Sequence, residues 1–410
     1  MIKNYKQIIS WCLFDFANSS YSAVIASVIF PVYFTSYIAG NEHGLGDLWW
    51  GRAISLSMVI VVLTSPFLGG IADFSGLRKR FLILYTIICV ASVALLSLLK
   101  KGMFIEGFLL ITVANIGMEG GLVFYNSFLP EIAPREYQGR VSSWGYGIGY
   151  LGSISSLLLS IPLLNTGNVN YAWIMVSLFF ILFSIPAFLY LPADKKTGLR
   201  VSSAATEGLR FSIRGLKKIW SQRETRKFLI AYLIYEDGVN TVIVFSSIFA
   251  ATTLGFKERE LITLFILVQV TALIGSFLMA RPIDYIGPKK SVSVSLIMWT
   301  TVSLLAFFIN KKEYFWIIAI IAGLGLGTIQ AASRAFYTQF IPQGNETEYF
   351  GVYAMIGKSS AIIGPLLFGY ISAATGSQRP AIVFVSIFFM LGLVILKLVK
   401  GGGPNVRASS

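Results

Sequence analysis

Residues 124–130 read FYNSFLP, and residues 336–342 read FYTQFIP, 212 positions later. The same spacing recurs beside them, where Glu136-Tyr137-x-Gly139 returns as Glu348-Tyr349-x-Gly351. Asp73-x-x-Gly76-x-Arg78 returns as Asp284-x-x-Gly287-x-Lys289 at an offset of 211, and Asp15-x-x-Asn18 as Asp237-x-x-Asn240 at 222. Near-equal offsets in separate segments mark an internal duplication. The larger offset fits a longer loop between the first two helices. The chain is therefore expected to be two parallel repeats of six helices each, with a substrate site near the bilayer midplane between the halves.

Composition agrees with a membrane protein. Of 410 residues, 55% are hydrophobic and 13% charged, against about 25% charged in an ordinary soluble domain. The mean hydropathy is +0.73. This excludes a soluble enzyme, a disordered chain, a disulfide scaffold and a collagen-like fibre, and leaves an all-α membrane protein. The net charge of +14 reads as basic loops on one side of a membrane rather than as a nucleic-acid surface. Cys12 and Cys89 lie inside apolar runs and His43 stands alone in a polar loop, so no disulfide or metal set is expected. The first apolar run is too long for a signal peptide and reads as a retained helix.

Twelve segments are long enough to cross hydrocarbon. The first six are Ile8–Tyr37, Leu48–Ile71, Phe81–Leu99, Met103–Leu129, Val141–Leu164 and Tyr171–Leu191. The second six are Phe228–Thr252, Leu261–Ala280, Ser291–Ile309, Tyr314–Phe340, Tyr349–Ala374 and Ala381–Val399. This divides the chain into bundles over 1–191 and 228–400, a connector over 192–227, and a polar tail over 401–410. Ten of the 33 Lys and Arg residues fall in the connector. Their bias toward one side places both termini in the cytoplasm. Within the connector, Leu209, Ile213, Leu216 and Trp220 recur at helical steps beside Arg210, Arg214, Lys217 and Lys218. That pattern reads as an amphipathic helix on an anionic membrane surface, with a cytosolic docking helix as the alternative.

Two six-helix halves with a long connector resemble the major facilitator superfamily. The stretch Gly69 to Arg80 keeps Gly69, Asp73, Gly76 and Arg78 of that superfamily's motif between helices 2 and 3, while Phe74 and Leu77 depart from it. A narrower resemblance lies in WCLFDFANSSYS in the first helix, FYNSFLPEIAP after the fourth and YFGVYAMIGKSSAIIGPLLFG in the eleventh. These are similar to the autophagy-associated vacuolar amino-acid effluxer family and its bacterial relatives. The resemblance implies a major facilitator fold and export of amino acids or similar small solutes. It also implies a central cavity lined by the first, fourth, seventh and tenth helices.

Charged residues inside membrane helices are costly and usually face a cavity or a partner. Asp15 and Asn18 share one helix face, as do Asp237 and Asn240, with Glu236 beside them. Glu119 lies in the fourth span, Arg334 in the tenth and Lys358 in the eleventh. Arg334 and Lys358 read as anion anchors, and Asp15, Glu119, Glu236 and Asp237 as cation or proton sites. Asn18 and Asn240 complete the substrate-binding set, and charges of both signs suit a zwitterion. The alternative is that these charges pair and lock helices together. Arg52, next to Asp47, reads as a surface pair.

Asp73, Gly76, Arg78, Asp284, Gly287 and Lys289 read as gating residues. Arg78, Lys79 and Arg80 stand opposite Glu131, Glu136, Glu346 and Glu348 as a latch between halves, with ordinary loop charge as the alternative. Gly147-x-Gly149-x-x-Gly152 mimics a dinucleotide loop but sits in an apolar helix, where close packing accounts for it. Gly323-x-Gly325-x-Gly327 and Gly364-Pro365 read likewise as packing or hinge positions. Tyr21, Tyr125, Gln330 and Tyr337 are either helix–helix bonds or ligand contacts.

The sequence thus points to a monomeric twelve-helix major facilitator transporter in the lipid bilayer of a bacterial cytoplasmic membrane. It acts by alternating access on a small-molecule solute, without cofactor, nucleic acid or enzymatic chemistry. An amphiphile transporter, a non-transporting sensor and an ion channel stand as rivals.

Overall fold

The computed structural model describes residues 5–133, 135–165, 167–194, 200–342 and 346–400. The side chains at 73, 130, 135–140, 142–143, 276–277, 279–285 and 346–348 are not part of that description. The described residues are helical, with no strand among them. The first six long helices are α1 (Tyr5–Ile38), α2 (Glu42–Gly70), α3 (Arg78–Leu98), α4 (Phe104–Asn126), α5 (Arg135–Leu164) and α6 (Asn170–Tyr190). A linker helix (Val201–Ser221) follows. After it come α7 (Arg223–Thr252), α8 (Glu258–Ile286), α9 (Pro288–Phe308) and α10 (Lys312–Thr338). The last two are α11 (Tyr349–Thr375) and α12 (Gln378–Leu398). Among the described residues, 11 spans are long and apolar enough to cross a membrane.

The helices run alternately up and down, which gives the bundle two ends. At the near end lie the starts of α1, α3, α7 and α9 and the finishes of α6 and α12. At the far end, the Gly102 amide donates to the Ile38 carbonyl, and the Arg259 guanidinium reaches Asn165. α1 packs on α5 and α6, α2 on α4, and α3 on α4 and α6. In the same pattern α7 packs on α11 and α12, α8 on α10, and α9 on α10 and α12. The two groups meet where α2 lies along α11, α1 along α7 and α5 along α8.

Small residues set these approaches. On α5, an added Cβ at Gly149 would stand 3.0 Å from the Ser19 hydroxyl, and one at Gly152 would strike the Phe16 backbone. On α10, Gly323 faces Thr271 and Val268 of α8. Of the dinucleotide-like glycines, Gly149 and Gly152 are packing positions, while an added Cβ at Gly147 would meet nothing within 4 Å. Tyr125 Oη donates to the Trp11 carbonyl, Tyr21 Oη to Asn115, and Tyr337 Oη to the Tyr349 carbonyl, all bonds between helices.

The eleventh span covers Tyr349–Thr375 and breaks at the position Gly364-Pro365 marks, being built of Glu346–Ser359 and Ile363–Thr375. The linker helix buries a small-residue face, Ala204, Gly208, Gly215 and Ile219, with Gly208 pressed on Gly70 of α2. Its Phe211, Ile213 and Trp220 are exposed together with Arg210, Arg214, Lys217 and Lys218, away from the face that packs on α2. Small residues win the buried face because only they let two backbones come this close. One expectation needs correction: Arg52 and Asp47 are not a surface pair. Asp47 is fully buried, while the Arg52 guanidinium lies 5.1 Å from the Trp49 ring centroid.

Candidate functional site

The break in α11 follows from its sequence. Pro365 has no N–H and crowds the carbonyl four residues back, so the helical ladder cannot run through Ala361. The chain restarts at Ile363, with Pro365 in the first turn, where a missing N–H is harmless. A restarted helix presents unsatisfied amides and the positive end of its dipole. Asp237 of α7 takes both: its carboxylate oxygens accept the Gly364 N–H at 2.8 and 3.0 Å. Position 364 needs glycine because an added Cβ would strike Thr241 and Asp237. Asn240 donates to Ser360 Oγ at 3.1 Å. From the other half, Ser55 Oγ of α2 donates to the Ile362 carbonyl at 2.7 Å.

One turn toward the near end, the two halves exchange charge. Lys358 of α11 reaches Glu119 of α4, with Nζ 2.8 Å from Oε2 and 3.0 Å from the backbone oxygen. Both side chains are mostly buried, at 18% and 26% exposure. On α10, Arg334 donates to Tyr146 Oη of α5 at 3.2 Å, and its guanidinium carbon sits 5.5 Å from that ring's centroid. Arg334 and Tyr146 meet across the halves, yet both are exposed. Residues that face each other between two bundles and remain exposed border an open cleft. Gln330, one turn from Arg334, donates to Glu236 Oε1 at 2.8 Å.

The structure thus gathers Glu119, Lys358, Arg334, Gln330 and Glu236 around the near-end cleft, and Asp237 and Asn240 at the helix break above it. Asp15 and Asn18 instead bond to one another at 3.3 Å on the seam between α1 and α5. There an added Cβ on Gly145 would lie 2.5 Å from Asp15 Oδ2. Among the described residues, Arg78 and Arg80 of the near-end gating cluster bond to the first half and to the start of the connector. Arg78 reaches Glu131 at 3.2 Å and the Ser127 carbonyl at 2.9 Å, and Arg80 reaches Asp194 at 3.4 Å. Gly76 and Gly287 hold φ of +71° and +90°, which explains their identity. Lys289 Nζ caps α12 at the carbonyls of Lys397 and Val399, as Lys79 Nζ caps α6 at those of Leu189 and Leu191. Of the remaining gating residues, the side chains of Asp73, Glu136, Asp284, Glu346 and Glu348 lie outside the described set.

A cavity of about 290 Å³ lies beyond the break toward the far end. It takes Ser27 from α1, Ser153 from α5, Phe249 from α7, Gln269 from α8, Trp299 from α9 and Phe315 from α10, among others. Its lining is apolar with scattered hydroxyls, and none of the intramembrane charges belongs to it. No described α4 residue lines it either, so this chamber is apolar and separate from the charged cleft. Sequence reasoning missed Tyr146, Ser55 and Ser360. For the last two the signal was Gly364-Pro365, which announces a helix restart with groups to be satisfied.

The pattern of the "Vacuole effluxer Atg22 like" family matches residues 52–402. The chain is 31% identical over 417 residues to the MFS-type transporter YxiO of Bacillus subtilis (strain 168), covering 97% of this chain and 96% of YxiO. With autophagy-related protein 22-1 of Penicillium rubens the identity is 23%, covering 84% and 74%. A crystal structure of a mutant of the nucleoside transporter NupG superposes with a TM-score of 0.74 at 11% identity, over 96% of this chain and 99% of that one. At that identity the likeness speaks for the fold alone. These matches place the chain among multi-pass membrane transporters of the major facilitator type rather than among enzymes, and it belongs to the Atg22-like vacuole effluxer family.

Proposed function

We propose that this protein moves a small polar organic solute, an amino acid or similar zwitterion, by alternating access between two six-helix bundles. The observation that carries the reading is the Glu119–Lys358 pair, which joins the halves one turn from a broken helix. Discontinuous helices at a repeat interface are where transporters of this type hold charged solutes and coupling ions. Arg334 and Lys358 are assigned to the solute's anionic group. Asp15, Glu119, Glu236 and Asp237 are assigned to its cationic group or to a coupled proton. The repeated packing scheme and the matching lysine caps support twelve helices in two parallel repeats, with α8 as the twelfth span. The basic connector supports a cytoplasmic near end with both termini there, in a bacterial cytoplasmic membrane and as a monomer.

The test is counterflow in proteoliposomes with a panel of labelled amino acids, sugars and peptides. Exchange of one zwitterion class, lost in Arg334→Ala and Asp237→Asn, is the expected result. Intact exchange in both variants overturns the site assignment. A second reading, transport of an amphiphile, is favoured by the apolar chamber. It predicts that exchange fails with every small polar solute and succeeds with a lysolipid-like probe.

A further inference from the structure

The far end of the interface holds a carboxylate that the proposed transport site does not use. Asp47 lies in the first turn of α2 and is fully buried. Its carboxylate accepts Asn41 Nδ2 at 3.1 Å, Ser372 Oγ at 2.5 Å and Gln378 Nε2 at 2.8 Å. Asn41 belongs to the first half, but Ser372 lies on α11 and Gln378 opens α12. Gln378 Oε1 in turn accepts the hydroxyls of Thr252 and Thr253 at 3.0 and 2.8 Å. One side chain thereby gathers α2, α11, α12 and the end of α7.

The surroundings are dry and close. An added Cβ on Gly369 would stand 2.6 Å from the Asp47 carbonyl, one on Gly44 would stand 2.7 Å from the Ser372 carbonyl, and one on Gly51 would strike Pro365. Neighbouring charges are turned elsewhere. Arg52 lies on the Trp49 ring, and Arg379 donates to the carbonyls of Phe307 and Ile309 and to Asn310. Glu42 and His43 form the opening turn of α2, and both are exposed. A buried carboxylate is tolerated only where donors surround it, and two of its three side-chain donors belong to the opposite half. Parting α2 from α11 and α12 at this end would break those two bonds. A contact made in one state and absent from the other sets the balance between them.

We propose that Asp47 is the latch of the far-end gate, a positioning residue whose bonds to Ser372 and Gln378 hold that face closed. The proposal rests on the alternating-access reading, but not on the identity of the solute.

The test is pulsed spin-label distance measurement on the full chain in lipid nanodiscs, on a background of Cys12→Ser and Cys89→Ser. One label pair replaces the exposed Lys101 and Lys311 at the far end, and another replaces Arg80 and Lys290 at the near end. Asp47→Ala should raise the ratio of long to short far-end distances roughly a hundredfold or more, the loss of two charge-assisted bonds. The near-end distances should shorten in parallel. The double change Ser372→Ala with Gln378→Ala leaves the carboxylate in place and should do the same. It keeps the test decisive if Asp47→Ala does not fold. Unchanged or more closed far-end distances in the folded variants overturn the latch, since relief of a buried charge would then outweigh its bonds. Gly51→Leu serves as a wedge that parts α2 from α11 whatever Asp47 does. If the wedge lengthens the far-end distances without shortening the near-end ones, alternating access itself fails. If it moves both and the Asp47 variants move neither, only the latch fails.

Discussion

The far-end seam and the near-end cleft close by different physics. At the far end α2 and α11 meet through Gly44, Gly51 and Gly369, with backbone against backbone and one carboxylate satisfied by hydroxyl and amide donors. At the near end the same two halves meet through a mostly buried ion pair and an exposed arginine over a tyrosine ring. Shape closes the first contact and charge closes the second. A shape-closed seam tolerates no added atom, whereas a charge-closed cleft can exchange its own partner for a solute's. On the transport reading, this asymmetry lets the bundle be sealed at one end while its charged groups face the other.

The largest effect should come from adding volume to the seam. Gly369→Leu must displace the Asp47–Leu48 backbone, and we expect a loss of about 3 kcal/mol or more, read as thermal unfolding in detergent. Gly147→Leu on α5 has nothing within 4 Å of its added Cβ and should leave the transition in place. Equal effects at the two positions would mean that tight backbone packing is not what closes the seam.

Next comes the ion pair. Lys358→Ala leaves Glu119 without its cation in a mostly buried place, which costs up to about 3 kcal/mol where water is excluded. Partial exposure of both groups brings the expectation nearer 1–2 kcal/mol. Glu119→Gln combined with Lys358→Met should recover much of that stability while abolishing counterflow. A double variant as unstable as the single one would mean that the pair is not a unit.

These pairs show what was legible in advance. Asp237 and Asn240 were readable because a three-residue spacing fixes a shared helix face, wherever the partner lies. The partner was not readable, since the Gly364 amide becomes available only once Pro365 has broken the helix and α7 stands beside the break. Asp47 was misread for the opposite reason. Its nearest cation along the chain is Arg52, but two of the three groups that hold it lie 325 and 331 residues away. The fold class and helix positions came from apolar length and duplication, which are local or periodic signals. The apolar chamber did not, because its serines, phenylalanines and tryptophan carry no pattern until eight helices bring them together.

Arg334 sharpens the cleft side of the comparison. Arg334→Lys keeps the charge but loses the planar group that both stacks on and donates to Tyr146. On the transport reading it should raise the KM for exchange several-fold, about 1 kcal/mol, with little change in unfolding temperature. A shift in stability without a shift in KM would make Arg334 a structural clasp.

The smallest effects concern how far the two halves are copies. By the duplicated motif, Lys289 corresponds to Arg78 and Lys290 to Lys79. By its bonds, Lys289 corresponds to Lys79, since each places Nζ on two carbonyls at the finish of its half's last helix. A cation at a helix C-terminus is worth about 0.3–1 kcal/mol. Lys79→Ala and Lys289→Ala should therefore each lower stability by that amount, and Lys290→Ala, whose side chain is exposed, by less. Thermal unfolding of the three variants decides which alignment describes the molecule. If Lys290→Ala matched Lys79→Ala while Lys289→Ala was silent, the motif would have kept its register and the cap would be incidental. The opposite order would mean that the duplicated helices conserve the cap and let the loop register slip by one residue.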